Sequence, residues 1–323
     1  MVRPASGSMP LVTVGMPVYN GDRYLKEAID SILAQDLGDS GSLELVISDN
    51  GSTDGTEEIC RAVVAADDRV RYVREPVNRG AAWNYNQVLE LARGTYFHWA
   101  ACDDRFAPSY LARCVHALQA DPAVVLAYAT TSVIDGDGRT IKTWRPRPGY
   151  ARQARAADRF RDVLWHSVMC FEVFGVTRRS QLLETSGIGA FPGSDRPLLA
   201  ELALRGRFQH IDEPLFVNRV HQRDSMHLYP GAKERARWFD PSSTMKFPHW
   251  RLLRAFTSAA WSGPARGRDR VAAVAVLPAW MSRERGSLAY DIVSALPGPL
   301  PAWAARVRED RRRARRRRQL TAS

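Results

Sequence analysis

From residue 11 to about 130 the chain alternates short apolar runs with segments of helical period. The runs are Leu11–Met16, Leu43–Ser48, Val70–Val73, Tyr96–Ala101 and Val124–Ala129. Between them, Tyr24, Leu25, Ala28, Ile29 and Ile32 fall on one helix face, as do Leu111, Cys114, Val115 and Leu118. Strand, helix, strand at these spacings predicts a mostly parallel sheet with crossover helices, a doubly wound α/β domain. Ligands of such sheets sit beyond the carboxyl ends of the strands, so candidate chemistry is sought there.

The middle of the chain, about 131 to 225, is less regular. The segment Val133-Ile134-Asp135-Gly136-Asp137-Gly138 predicts a hairpin with a glycine-containing turn. Phe171–Thr177 is expected to be a strand, Pro197–Leu204 a short helix, and Phe208–Val220 one or two further strands. From about 226 the composition shifts to Trp, Arg and Ala, punctuated by prolines at 241, 248, 264, 278, 297, 299 and 301. This predicts several helices wrapped on the main domain, the last starting near Pro301 and running into arginines. The expected organisation is therefore a disordered stretch 1–9, a main domain 10–225 and a helical extension 226–323.

Charge alters this picture only at one end. The net charge is +11, but nine arginines and two acids between Ala305 and Arg318 hold +7 of it, leaving +4 elsewhere. Just four of the 46 basic residues are lysines, so scattered arginines are discounted and only their clustering is informative. The balanced charge of residues 1–304, with no strand interleaving aromatic and basic residues, argues against nucleic acid. Cys60, Cys102, Cys114 and Cys170 form no C-x-x-C pair and are read as reduced thiols of a cytoplasmic protein. The longest apolar stretch, Val271–Met281, is broken by Pro278 and falls well short of the roughly 20 residues of a membrane span.

The strand ends carry the candidate chemistry. After the first run stands Pro17-Val18-Tyr19-Asn20-Gly21-Asp22, where Tyr19 can stack on a nucleobase or simply belong to a helix-entry turn capped by Asn20 or Asp22. After the second, Asp49 is placed to accept hydrogen bonds from a ribose or base, while Asp54 with Glu57 reads as a capping box. Asn78-Arg79-Gly80, leading to Asn84, opens the third helix with donors and a glycine that suit a phosphate or ribose, or only a turn. The fourth run leads straight into Cys102-Asp103-Asp104. Two adjacent acids at the end of a buried strand repel one another, and a divalent cation relieves that; a solvated, helix-capping loop is the alternative. Hard oxygen ligands suit Mg²⁺ or Mn²⁺, which also bridge diphosphates. Asp195, in Gly193-Ser194-Asp195-Arg196-Pro197, is a general base or an N-cap. His221, in Arg219-Val220-His221, is a metal or phosphate ligand or an ordinary surface histidine.

In order and spacing these segments resemble glycosyltransferase family 2, the inverting enzymes of GT-A fold, over about residues 10–225. Pro17-Val18-Tyr19-Asn20 matches the family's P-x-Y-N loop, and Asp49 to Asp54 its D-[DN]-[GN]-S-x-D segment. Asn78 to Asn84 matches the N-x-G…N helix start, and Asp195 the late acid that serves as base. The first acid of the common metal motif is replaced here by Ala101, leaving an x-Asp-Asp variant. The resemblance implies a nucleotide-sugar donor held by Pro17, Tyr19, Asn20, Asp49, Asn78, Asn84 and Asp103. It implies Mg²⁺ or Mn²⁺ at Asp103, Asp104 and His221, and a hydroxyl-bearing acceptor deprotonated by Asp195. The arginine-rich tail is expected either to be solvated or to touch an anionic membrane at the cytoplasmic face. Two other readings stay in view: a sugar-1-phosphate nucleotidyltransferase, whose Gly-rich Lys/Arg loop is lacking after the first strand, and a non-catalytic nucleotide-sugar binder. A dinucleotide-binding dehydrogenase is excluded, because no G-x-G-x-x-G follows any strand.

Overall fold

The first four apolar runs fold as β1 (Val12–Val18), β2 (Leu43–Asp49), β3 (Val70–Arg74) and β4 (Tyr96–Trp99), and the fifth opens β6 (Val124–Ile134) after a two-residue β5 (Arg105–Phe106). The computed structural model of the chain describes residues 9–38, 41–167, 169–229, 232–244, 246–296 and 303–304. Every residue of β1 and β2 is buried. That follows from helices on both sheet faces, as in parallel sheets generally. On one face Val12, Val14 and Met16 share a core with Leu25 and Ile29 of α1 (Asp22–Leu33) and with Cys60 of α2 (Thr56–Ala66). On the other, Phe97 and Trp99 pack with Val88 and Leu89 of α3 (Ala81–Glu90).

Among the described residues the sheet has nine strands; with β7 (Thr140–Trp144) paired to β6, β8 at Val176–Arg178 and β9 at Arg207–Arg219, the order is β3-β2-β1-β4-β8-β6-β9-β5. Strands β3, β2, β1 and β4 are parallel, as expected. Past β4 the sheet is mixed: β8 runs antiparallel to β4 and β6, while β9 is parallel to β6 and antiparallel to β5. The pairing of Arg105 with Val217 and of Phe106 with Phe216 brings the end of β9 beside the Asp103-Asp104 loop. It is this register that builds the site.

The expected hairpin forms between β6 and β7, its turn closed by Asp135 N–H on the Arg139 carbonyl at 2.9 Å. Phe171–Thr177 differs from its expectation. Phe171–Phe174 is a 3₁₀ turn, and the strand is confined to Val176–Arg178. The Phe-Glu-Val-Phe alternation looks like a two-sided strand, yet Glu172 is as buried as Phe171 and Val173, so the alternation does not mark an inside and an outside. The helix expected at Pro197–Leu204 is α7 (Asp195–Arg205), after α4 (Tyr110–Ala120), α5 (Ala156–His166) and α6 (Arg179–Leu183).

The C-terminal region is helical as expected: α8 (Ser225–Leu228), α9 (Ala232–Phe239), α10 (Pro248–Ser262), α11 (Gly267–Ala275), α12 (Leu277–Arg283) and α13 (Arg285–Ala295). Its inner faces join the core of the main sheet, since Leu252, Phe256, Ala259 and Trp280 belong to one cluster with Leu198, Leu202 and Phe208. Trp303 and Ala304 are helical, while the expected disorder of 1–8 and the arginines of 305–323 lie outside the described residues. Among the described residues no helix is long and apolar enough to cross a membrane.

Candidate active site

At the ends of β1 and β2 two loops are tied together. Asn20, at φ 53, accepts the Thr53 N–H on its Oδ1 at 2.8 Å, and its own N–H donates to Ser52 Oγ at 2.9 Å. A short-chain amide carries such a left-handed residue best, because it bonds locally. Asp54 does not form the expected capping box with Glu57. Its carboxylate accepts the N–H groups of Thr56 (3.1 Å) and of Asp22 (3.2 Å), bridging the starts of α2 and α1. Burial opposes its charge, but these bonds outweigh that and hold the carboxyl below its usual value. Tyr19 is left 37% exposed on this rim, with Pro17 buried in β1 beneath it.

Asp49, expected to accept hydrogen bonds from a ribose or base, lies at the end of β2. It is fully buried, and its oxygens accept Ser52 N–H (2.8 Å), the Tyr72 hydroxyl (2.7 Å) and Arg74 Nε (3.2 Å). Tyr72 and Arg74 come from neighbouring β3, a tertiary pairing that the local sequence does not announce. Asn84 likewise works inside the fold, donating to the carbonyls of Val18 (3.2 Å) and Ser48 (2.9 Å) and so fastening the ends of β1 and β2. Its Oδ1 and the Ser48 Oγ have no hydrogen-bond partner among the described residues. Asn78 Oδ1 accepts from Gly80 N–H and from Asn50 Nδ2, shaping the entry to α3. Gly80 is expected to suit a phosphate or ribose, or only a turn. What it clears is the Phe239 carbonyl, 2.5 Å from where a Cβ would stand, so its φ of 91 and bare Cα serve the seating of α9.

The two acids after β4 have separate environments. Asp104 is buried, and its carboxylate accepts Arg219 N–H (2.8 Å) and Asn218 Nδ2 (3.1 Å) from β9. It caps no helix, because the cap of α4 is Ser109. Burial first, then the charge of Asp103, raises its carboxyl well above the usual range. Asp103 is 25% exposed and lies 2.9 Å from His221 Nε2. His221 Nδ1 accepts Arg223 N–H at 3.2 Å. Arg219 holds the loop from behind through Nε on the Asp103 carbonyl (3.1 Å) and Nη2 on Glu27 (2.6 Å), with its guanidinium over Tyr24. Among the described residues no three His, Cys, Asp or Glu side chains converge as a complete metal site. Asp103 and His221 are thus a two-residue donor set. That donor set fits a divalent cation whose coordination is completed by diphosphate oxygens. Asp104, with its oxygens engaged by β9, is the member of the expected trio that the geometry draws into the fold.

Asp195 opens α7, with Arg196 N–H donating to its Oδ1 at 2.9 Å. Its neighbour Ser194 is the cap residue, but makes no side-chain cap bond. Burial raises the Asp195 carboxyl above its ordinary value, against the lowering effect of the Cys170 thiol and of Arg196. Two residues of this region were missed in the sequence. Cys170 lies by Asp195 and holds a left-handed φ of 54 for a non-glycine residue, and Glu172 is buried, its Oε2 without a hydrogen-bond partner among the described residues. Burial pushes the Glu172 carboxyl up to about 7, with Asp195 adding to the shift. Neither carries a sequence signal, since both lie in an apolar stretch that reads as a strand. Tyr85 of α3 joins the two halves of the site. Burial raises its phenol, and the charges of Asp103, Asp104 and Asp195 raise it further.

Comparison with known proteins agrees with this architecture. The model of glycosyl transferase family 2 matches residues 13–182. Chondroitin synthase of Escherichia coli is 29% identical over 213 residues, 66% of this chain and 29% of that protein. The chain therefore spans under a third of the length of that relative. Among solved structures, S. aureus TarS 1–349 in complex with UDP superposes with a TM-score of 0.59 at 15% identity, covering 88% of this chain and 81% of that one. The mannosyltransferase PcManGT from Pyrobaculum calidifontis, in complex with GDP-Man and Mn2+, gives 0.51 at 21% identity, covering 98% and 84%.

Proposed function

This chain belongs to glycosyl transferase family 2, and from that premise we propose that it transfers a sugar from a nucleotide-diphosphate donor to an acceptor hydroxyl, with inversion at the anomeric carbon. The observation that carries the reading is the Asp103–His221 pair, 2.9 Å apart after β4, with Asp195 at the start of α7 close enough that both acids act on the Tyr85 phenol. Residues 10–225 form the catalytic domain and 226–323 its helical extension. The donor is UDP-, dTDP- or GDP-linked, in keeping with the UDP and GDP-Man complexes of the structural neighbours. The acceptor is a glycan, a lipid-linked saccharide or a secondary metabolite; the glycosaminoglycan synthase relative favours a glycan.

In this reading Tyr19 stacks on the nucleobase at the exposed rim, while Pro17, Asn20 and Asn78 shape the loops around the nucleoside. Asp49 and Asn84 act one layer deeper, fixing those loops and the strand ends rather than touching the ligand. Asp103 and His221 would hold Mg²⁺ or Mn²⁺ together with diphosphate oxygens, and the chemistry supplied there is neutralisation of charge on the departing diphosphate. Asp104 keeps Asp103 in place through β9. The acceptor oxygen forms its bond to the anomeric carbon as the bond from that carbon to the diphosphate oxygen breaks, and the hydroxyl proton passes to Asp195. A raised carboxyl is the stronger base for that proton.

The test is thermal melting of the full chain with UDP-, dTDP- and GDP-sugars, each with Mn²⁺ and with EDTA. A donor at about a hundredfold its dissociation constant stabilises the folded state by about 2.7 kcal/mol. A rise in melting temperature with one nucleotide class, lost in EDTA, is expected. No rise with any of them removes the donor assignment.

A further inference from the structure

We propose that the outer face of α10 docks this chain on an anionic lipid surface. Phe247, Trp250, Arg254, Thr257 and Trp261 recur at spacings of three and four, forming one stripe along the helix. They line two adjoining grooves of about 540 and 430 Å³ that share Trp250 and Arg254. Lys246 and Arg251 complete the cationic lining, which contains no acid. Among the described residues none of these three cations forms an ion pair. Trp261 is 63% exposed, and the Trp250 ring is fixed by its indole N–H on the Leu288 carbonyl at 3.0 Å. Phe247 stands at the head of the stripe with a left-handed φ of 59, a strained conformation for an aromatic residue.

Charge and apolar exposure both concentrate in this part of the chain. Residues 1–225 carry a net charge of −2, whereas residues 226–323 carry +13. Of the fourteen large hydrophobic residues that are exposed among the described residues, eight fall from Phe247 to Trp303. They include the aliphatic Val271, Ile292 and Leu296 beside the tryptophans. Saccharides and nucleobases reward aromatic rings but gain little from exposed aliphatics. An interface of acyl chains and anionic headgroups rewards aliphatics, tryptophans and arginines together. Beyond the patch the chain continues into the nine arginines of 305–323, which add to the same attraction.

The inner face of α10 rests on the turn that carries the proposed base. Leu252 Cδ2 lies 3.9 Å from where a Cβ of Gly193 would stand, and the Arg196 guanidinium lies 5.8 Å from the Phe256 ring centre. Docking on the outer face therefore holds the first turn of α7 one helix layer from the lipid, where a membrane-borne acceptor can be presented.

Co-sedimentation of the full chain with phosphatidylcholine vesicles, with and without phosphatidylglycerol, tests this. Binding is expected with the anionic vesicles only, falling as salt is raised. Arg251→Gln with Arg254→Gln should weaken partitioning about thirtyfold, at roughly fivefold per basic residue. Trp250→Ala with Trp261→Ala should weaken it about tenfold or more, with the arginine tail intact. Unchanged thermal melting and an unchanged donor response establish that these surface variants are folded. Three results overturn the proposal: no binding of the wild type, equal partitioning of wild type and both variants, or capture by an acidic polysaccharide without capture by vesicles.

Discussion

On the function proposed above, the carboxylates of the donor side, Asp49 and Asp54, and those of the acceptor side, Asp195 and Glu172, sit in different environments. Asp54 accepts the N–H groups of Thr56 and Asp22 and is held below its usual value, and Asp49 is fixed by serine, tyrosine and arginine groups. Asp195 and Glu172 lie where burial dominates, and both are pushed up, Glu172 to about 7. A carboxylate fixed by several hydrogen bonds makes a rigid frame. Groups poised to take a proton do acid–base work. Environments that drive carboxyl groups apart in this way mark their separate tasks.

The largest expected consequence follows from the acceptor side. Asp195→Asn keeps the size of the side chain but removes its basicity, and should lower kcat about 10²- to 10⁴-fold. Donor binding, read by thermal shift, should stay close to wild type, because the frame on the other side is untouched. A parallel loss of donor affinity would sink the assignment of Asp195 as base.

The adjacent acids sharpen the same contrast within two residues. Asp104→Ala leaves Arg219 N–H and Asn218 Nδ2 buried without their acceptor, a loss of about 1–3 kcal/mol for each unsatisfied donor. Asp103→Ala, at a partly exposed position facing His221, should leave the melting temperature without ligand nearly unchanged but remove the metal-dependent donor shift. If Asp103→Ala destabilises the protein and Asp104→Ala only weakens metal-dependent binding, the two roles are reversed.

Sequence pattern alone located this division only in part. The strands β1 to β4, the position of Asp195 at the start of a helix and the pairing of acids after β4 were all legible, because each depends on local periodicity or on a short motif. What each acid does was not. Asp49 and Asp54 differ through contacts with β3 and α1, and Asp103 and Asp104 through the register of β9, which lies more than a hundred residues away in sequence. Cys170 and Glu172 were passed over for a related reason. Phe171-Glu172-Val173-Phe174 has the alternation of a strand, and nothing in it reports that the chain turns there and buries the glutamate. Gly80 shows the reverse error, since its place at a helix start suggested a ligand, while its neighbour is the backbone of α9.

Glu172 offers the finest test of the acceptor side, because its effect is read in stability rather than turnover. With an ordinary value of 4.5 and a folded value of about 7, the folded chain binds this proton more tightly than the unfolded chain does. The stability it contributes is therefore fully present below about pH 4.5 and is lost as pH rises through about 7. At 1.36 kcal/mol per pH unit, the loss across that window is at most about 3 kcal/mol. Asp195 is shifted in the same direction and adds a slope of the same sign. Glu172→Gln resembles the protonated form at every pH, so it should match wild type near pH 5 and exceed it in melting temperature near pH 8. The difference between the two proteins should grow steadily between those limits. A constant difference would mean that Glu172 is ionised throughout and charge-balanced by a partner, and the acceptor side would then be no less satisfied than the donor side.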